Sequence, residues 1–174
     1  RALAFVAGRG MLFERRVAGG HAVDGHGDLL ADDVFCLDDG PRILDCLEFD
    51  DQLRYVDVLD DAACLAMDLE RLGAPGLGGL LLSHYRALTG DNAPESLVHH
   101  FIAYRAFVRA KVSCLQEALA DQAAVHAELA ARHLRTGEVR LVLVGGPPGT
   151  GKTTLARALA ASVAAAGADR TLTV

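Results

Sequence analysis

Apolar residues recur at every third or fourth position over much of the chain, which is the period of amphipathic helices. The clearest example covers residues 57–72 and stops at Gly73. The same pattern covers 80–89 and the long stretch 94–135, which we expect to break near Asp121, a residue able to cap a new helix. The sequence therefore predicts a region made mainly of helices.

Two short β-prone runs interrupt the helical pattern. Residues 34–37 and 42–46 lie on either side of an Asp-Gly turn at 38–41, which predicts a β-hairpin. The preceding stretch, 21–33, is polar and rich in Gly, His and Asp, so we expect a loop there. Residues 1–18 are mixed in character, and we expect a helix there that ends at the glycine pair 19–20.

A different pattern begins further along the chain. A mainly apolar run at 139–144 predicts a strand, a helix-forming run at 153–166 follows, and a second strand is expected from 171–174. The predicted fold class is therefore α/β: a mostly helical α+β domain over 1–136, then the start of a parallel-sheet domain over 137–174. Because such a sheet needs further strands, we expect the chain to be part of a longer protein.

A glycine-rich segment joins the predicted strand to the predicted helix. Residues 146–153 read Gly-Pro-Pro-Gly-Thr-Gly-Lys-Thr, which is the G-x-x-x-x-G-K-[ST] pattern of a phosphate-binding loop. Glycines let successive N–H groups point at phosphate oxygens, and the helix N-terminus adds partial positive charge. Lys152 can reach the β- and γ-phosphates, while the hydroxyl of Thr153 can bind Mg²⁺, so we expect ATP and Mg²⁺ as cofactors. The predicted ATP-binding residues are Gly146, Pro147, Pro148, Gly149, Thr150, Gly151, Lys152, Thr153 and Thr154.

Two aspartates upstream have the spacing of a phosphoryl-transfer site. Residues 26–29 read His-Gly-Asp-Leu, and Asp45 follows 17 residues after Asp28, at the end of the predicted hairpin. In such sites one carboxylate accepts the proton of the attacking hydroxyl and the other holds Mg²⁺ on the nucleotide phosphates. We expect His26 to hold the loop by a hydrogen bond rather than to carry a proton.

These residues resemble those of the aminoglycoside phosphotransferase-like kinases. Residues 26–29 are similar to the H-G-D-L catalytic loop of that family, and 43–49 are similar to its metal-binding segment. Asp57 and Asp61 resemble the D-x-x-x-D at the start of the helix that buttresses the loop. A bacterial family of bifunctional aminoglycoside phosphotransferase-like/ATP-binding proteins joins such a domain to a P-loop domain, as the order of motifs does here.

The resemblance implies a kinase C-lobe followed by a P-loop domain, with Asp28 as catalytic base and Asp45 as metal ligand. It also implies a second metal ligand at residue 33, where the family carries Asn and this chain carries Asp33. Leu30 stands where the family often has His or Arg. These two departures keep open a degenerate, non-catalytic domain with a regulatory or interaction role.

The net charge and the composition limit the partners and the cellular location that we expect. The net charge is −6, with the acidic residues concentrated between 24 and 61, which argues against nucleic acid as a partner. No apolar run reaches the length of a membrane span. The cysteines lack C-x-x-C and metal-ligand spacing, so we expect buried, reduced thiols in a cytoplasmic protein. They are Cys36, Cys46, Cys64 and Cys114.

Two arginines share one face of the long helix. Arg105 and Arg109 are spaced i, i+4, and they can pair with the acidic helix at 57–70 or contact an anionic substrate. The combined prediction is ATP-dependent phosphoryl transfer to a small-molecule acceptor. The alternative is an AAA-type ATPase with a degenerate kinase-like domain, because the same glycine-loop sequence is common among AAA proteins.

Overall fold

Helices make up most of the chain, with small antiparallel sheets between them, and this mixture confirms the predicted combination of helix and strand. The computed structural model describes residues 1–116, 119–140 and 142–165. The chain divides into two compact units, one over 1–138 and one over 139–174. Each unit is considered by itself below.

The first unit begins with two short helices and continues through strands into four longer helices. Its helices are α1 (Ala2–Ala7), α2 (Gly10–Ala18), α3 (Val58–Arg71), α4 (Pro75–Thr89), α5 (Glu95–Leu115) and α6 (Ala120–Thr136). Its strands are β1 (Ala22–Asp24), β2 (Val34–Leu37), β3 (Gly40–Ile43) and β4 (Tyr55–Asp57). β1 pairs with β4, and β2 pairs with β3, both antiparallel. In the second unit, the described helix is α7 (Lys152–Ala165).

The core of the first unit lies between α3, α5 and α6. Leu59 and Met67 of α3 and Leu97 of α5 have no exposed surface, and Leu129 of α6 packs into the same cluster. Burying one such side chain stabilises the fold by about 1.5–3 kcal/mol. This packing fixes the position of α3. The loop that contains His26 and Gly27, about 30 residues earlier in the chain, is hydrogen-bonded to the first turns of α3.

A buried ionic network ties the start of α3 to two other segments. Asp57 is the N-cap of α3 and accepts a hydrogen bond from the Leu59 amide at 2.9 Å. Arg16 of α2 reaches Asp57 at 2.7 Å and Asp91, in the α4–α5 connection, at 2.8 and 2.9 Å. The hydrogen bonds from Arg16 hold the pKa of Asp91 well below its usual range, although the carboxylate is buried.

Several predicted elements are confirmed. α3 covers the predicted helix to within one residue at each end, and β2 and β3 form the predicted hairpin with Val34 opposite Ile43. The long helical stretch breaks between α5 and α6, near the expected point. Asp121 lies in the first turn of α6 and does not cap it, since Leu119 holds the N-cap position.

The helix predicted to end at the glycine pair is confirmed as α2, and a separate short helix, α1, precedes it. Other boundaries were predicted wrongly. The loop expected over 21–33 contains β1, which pairs with β4 across a long stretch of chain. α4 begins at Pro75 rather than at residue 80, because proline is well tolerated in the first turn of a helix.

The strand predicted at 139–144 is not observed: residues 139–140 and 142–144 have no regular structure, and residue 141 is outside the described residues. A strand needs a hydrogen-bonded neighbour, and the described part of the second unit provides none. The parallel sheet is therefore not observed among these residues, and the strand expected from 171–174 lies outside them.

The predicted burial of the cysteines was wrong for three of the four, whereas the predicted absence of disulfides agrees with the structure. Cys64 is buried, but Cys36, Cys46 and Cys114 are exposed, and all four thiols are free. Burial raises the pKa of the Cys64 thiol, so this side chain is un-ionised at neutral pH. None of the described helices combines the length and the apolar content that a bilayer crossing requires.

The buried network predicts a large effect of Asp91→Asn on stability. We expect the free energy of unfolding at pH 7 to fall by about 2–3 kcal/mol, because a buried charge-assisted hydrogen-bond acceptor is lost. The lowered pKa of Asp91 contributes stability above its unfolded-state pKa of about 3.9, and this is lost as pH falls below that value. Asp91→Asn should therefore also weaken the acid dependence of stability.

Urea unfolding between pH 7 and pH 3 measures both effects. Asp39→Asn is the matched control, because Asp39 forms an exposed ion pair with Arg42. Equal stability losses in the two variants would contradict the role given to the buried network.

Candidate functional site

A carboxylate of α3 holds the loop that carries Asp28. Asp61 accepts hydrogen bonds from the main-chain N–H of His26 at 2.6 Å and from that of Gly27 at 3.0 Å. A Cβ atom at Gly25 would collide with the same carboxylate, so the loop can approach α3 this closely only with glycine there. These hydrogen bonds hold the loop against α3, the helix that the resemblance places beside it.

A buried arginine holds the same loop from the side of α5. Arg105 donates to the carbonyl oxygen of Gly27 and makes a two-point contact with Asp60 of α3, at 2.6 and 3.0 Å. Both side chains of the pair are more than nine-tenths buried. The predicted pairing of Arg105 with the acidic helix is confirmed, and the loop backbone is clamped between α3 and α5.

His26 joins the loop to the segment after the hairpin. Its Nε2 lies 2.9 Å from the carbonyl oxygen of Leu44, and its own carbonyl accepts from the amide of Leu47 at 3.0 Å. Because a carbonyl only accepts, Nε2 donates in this contact. The structural role predicted for His26 is therefore confirmed.

Asp45 has an unusual backbone conformation. With φ at 65°, it is the only non-glycine residue with a positive φ in the described part of the chain. Aspartate tolerates this region better than most residues, yet strained conformations concentrate at functional sites. No described residue donates a hydrogen bond to its carboxylate, which is thus available to a ligand.

Asp28, Asp33 and Asp45 come together around one cavity of about 430 Å³. Asp33 uses one oxygen locally, since its Oδ2 accepts from the amide of Leu30 at 2.8 Å. Asp28 is partly exposed, and its Oδ1 lies 4.0 Å from the Sγ of Cys64. The other lining residues are Leu30, Cys46, Leu47, Glu48, Phe49 and Arg109.

Arg109 contacts Asp28, which sequence reasoning did not anticipate. Its Nη1 lies 2.9 Å from Asp28 Oδ2, so it pairs with the loop and not with the acidic helix. The spacing from Arg105 was the available signal: once Arg105 is fixed behind Gly27, the next turn of α5 lies beside Asp28. Asp60 was likewise missed as the partner of Arg105.

The residues present fit Mg²⁺ held together with a nucleotide. Within the described ranges, no group of three His, Cys, Asp or Glu side chains forms a metal site by itself. Mg²⁺ is usually bound by only one or two carboxylates, with phosphate oxygens and waters completing its shell. Asp45 and the free oxygen of Asp33 can provide such a pair, and these assignments stay predictions.

The glycine loop of the second unit is exposed and opens into α7. Gly146, Gly149 and Gly151 have φ values of 152°, 78° and 79°, a region that other residues rarely adopt. Lys152, the first residue of α7, donates from Nζ to the carbonyl oxygen of Pro147 at 2.6 Å. The ammonium group therefore curls over the loop, where a phosphate would replace the carbonyl as its partner.

The remaining predicted residues of the loop lie close to the same turn. The hydroxyl of Thr150 donates to Pro147 at 2.9 Å, while Thr153 and Thr154 lie exposed in the first turn of α7. Such an N-terminal turn presents unpaired N–H groups and partial positive charge to an anion. The positive φ angles of the loop glycines are consistent with the predicted phosphate-binding loop.

Comparison with known proteins supports this reading of the loop. Residues 142–170 match the family model described as ATPase family associated with various cellular activities (AAA). The segment is thus similar to P-loop ATPases, which in general bind ATP with Mg²⁺. The match is confined to the second unit.

Whole-chain relatives occur in mycobacteria. The chain is 56% identical over 167 residues to uncharacterized protein Rv2004c of Mycobacterium tuberculosis and to uncharacterized protein Mb2027c of Mycobacterium bovis. Each match covers 92% of this chain and 33% of the relative, so the chain spans about a third of the length of these curated relatives. No solved structure matches the chain significantly. The resemblance to aminoglycoside phosphotransferase-like kinases gains no support from these matches and stays a prediction.

The hydrogen bonds to Asp61 predict how the loop responds when they are removed. In Asp61→Ala, the amides of His26 and Gly27 lose their acceptor, and we expect their hydrogen exchange to accelerate at least tenfold. Exchange followed by NMR measures this directly. Asp32→Ala is the control, because Asp32 is an exposed neighbour of the loop. Unchanged protection of both amides in Asp61→Ala would show that the loop is held by other contacts.

Proposed function

We propose that the protein binds ATP with Mg²⁺ and transfers the γ-phosphoryl group to a hydroxyl of a small-molecule acceptor. The observation that carries this proposal is the shared cavity of Asp28 and Asp45, on two segments joined through His26. A base and a metal-binding carboxylate facing one space are the parts that phosphoryl transfer requires of a protein.

In the proposed reaction, Asp28 accepts the proton as the acceptor oxygen attacks the γ-phosphorus. The bond between the γ-phosphorus and the β,γ-bridging oxygen breaks, and ADP leaves. Mg²⁺, when bound, supplies positive charge against the phosphate oxygens, with Asp45 and Asp33 as its protein ligands. The loop clamp by Asp61 and Arg105 keeps Asp28 in position for this step.

The glycine loop gives the second part of the proposal. Residues 146–154 would bind the phosphates of ATP, with Lys152 on the β- and γ-phosphates and Thr153 on Mg²⁺. The match to AAA ATPases over 142–170 and the positive φ angles of the loop glycines support this assignment. Nucleotide and acceptor are the proposed partners, and nucleic acid is not, because the net charge is −6. The four free cysteines favour a cytoplasmic location.

A lysine variant tests the glycine loop. In full-length protein carrying Asp45→Asn to weaken the other proposed nucleotide site, we expect Lys152→Ala to reduce the affinity for Mg·ATP at least tenfold, about 1.4 kcal/mol. Arg157→Ala is the control, since Arg157 is an exposed cation on the same helix. Isothermal titration calorimetry provides the measurement, and equal affinities in the two variants would remove the loop from the nucleotide site.

An aspartate variant tests the phosphotransferase assignment. Asp28→Asn removes the proposed base at nearly constant volume, and we expect phosphoryl transfer from radiolabelled ATP to slow by about 10²–10⁴-fold. Circular dichroism would establish that the variant remains folded. A folded variant with the wild-type transfer rate would favour a kinase-like domain without catalytic function.

An AAA-type ATPase is the second candidate, because the segment 142–170 is similar to the AAA family model. In that case ATP hydrolysis would proceed without any acceptor. The hydrolysis would also persist in Asp28→Asn and disappear in Lys152→Ala. The phosphotransferase proposal gives the opposite result for Asp28→Asn, so one pair of variants separates the two functions.

A further inference from the structure

The cavity around Asp28 contains one cationic side chain among its described lining residues. Four of the lining side chains are carboxylates, namely those of Asp28, Asp33, Asp45 and Glu48, and the cation is Arg109. The four carboxylates alone would attract a cationic acceptor, so such an acceptor would not require an arginine in the cavity. The presence of a guanidinium beside the proposed base therefore calls for a reason of its own.

The guanidinium of Arg109 has unused hydrogen-bonding capacity. Asp28 is its only hydrogen-bond partner within the described residues, and only Nη1 takes part. An arginine side chain carries five N–H donors in a planar fork. About a quarter of the Arg109 side chain is exposed, which leaves the other donors accessible from the cavity.

Arg105, one turn earlier on the same helix, provides the contrast. Its guanidinium is buried and uses three nitrogens on Asp60 and on the carbonyl of Gly27. Arg105 is therefore a structural residue. Arg109 is placed at the cavity with a fork whose geometry matches a carboxylate or a phosphate.

We infer that Arg109 selects an anionic acceptor, one that carries a carboxylate or phosphate group near the hydroxyl to be phosphorylated. This inference rests on the proposed function and specifies its substrate class. The anionic group binds the fork of Arg109, and the neighbouring hydroxyl lies against Asp28. As Arg109 turns to the acceptor, its contact with Asp28 weakens, which frees that carboxylate to accept the proton.

Because Arg109 is shared between Asp28 and the acceptor, two variants should change the affinity for an anionic acceptor in opposite directions. Arg109→Gln removes the anion contact and should weaken binding of an anionic acceptor. Asp28→Asn removes the competing carboxylate and should strengthen this binding, even though the same substitution should slow transfer. A residue that only positioned Asp28 would produce no gain in anion affinity.

The test is calorimetric binding to the full-length protein with four small probes. D-glycerate and glycerol 3-phosphate carry a hydroxyl beside a carboxylate or a phosphate, glycerol is the neutral comparison, and ethanolamine is the cationic one. We expect at least one of the anionic probes to bind at least tenfold more tightly than glycerol and ethanolamine. The better of the two anions identifies whether carboxylate or phosphate is preferred.

The variants complete the test. Anion affinity should fall at least tenfold in Arg109→Gln, rise in Asp28→Asn, and stay unchanged in Lys111→Gln, an exposed cation on the same helix. If Arg109→Gln unfolds, Arg109→Lys keeps the charge without the fork and should lose most of the affinity. Equal binding of anionic and neutral probes, or an anion affinity that is insensitive to both Arg109 variants, would overturn the inference.

Failure of this inference is distinguishable from failure of the proposed function. The binding measurements require no phosphoryl transfer. The proposed function fails when transfer continues in a folded Asp28→Asn protein, whatever the probes show.

Discussion

The candidate site depends on one contact, in which the carboxylate of Asp61 accepts hydrogen bonds from two main-chain amides of the loop. The loop before Asp28 has no regular secondary structure, so its backbone donors need partners from elsewhere. A carboxylate fixed on a helix provides two acceptors at once and sets the direction in which the loop leaves. The position of Asp28 relative to the cavity follows from that direction.

Other acids at the start of α3 form contacts of the same kind. Asp57, the N-cap, binds Arg16, Asp60 binds Arg105, and Asp61 binds the loop, so each contacts a different part of the chain. Leaving the buried Asp60 without Arg105 would cost about 3–5 kcal/mol, so alternative arrangements of the unit are disfavoured. The acids at this helix start therefore determine which segments meet there.

Patterns among neighbouring residues predicted the helices and turns that depend on short-range interactions. The period of apolar residues predicted α3, and the turn residues predicted the β2–β3 hairpin. β1 and β4 were missed because three-residue strands show no period and pair across about 30 residues. The contact of Arg109 with Asp28 joins residues 81 positions apart, so the spacing of Arg109 from Arg105 indicates it only once tertiary packing has placed Arg105.

Nucleotide binding and acceptor choice, the two parts of the proposed function, differ in how far apart in the sequence their residues lie. A phosphate loop is encoded within eight consecutive residues, because glycine conformation and one lysine suffice, and the match to AAA ATPases reaches this part of the chain. The proposed choice of acceptor instead rests on Asp28, Asp45 and Arg109, which come from a loop, a turn after a hairpin and a helix. The prediction of nucleotide binding thus follows from the sequence alone, whereas the proposed substrate class rests on side chains that only the fold brings together.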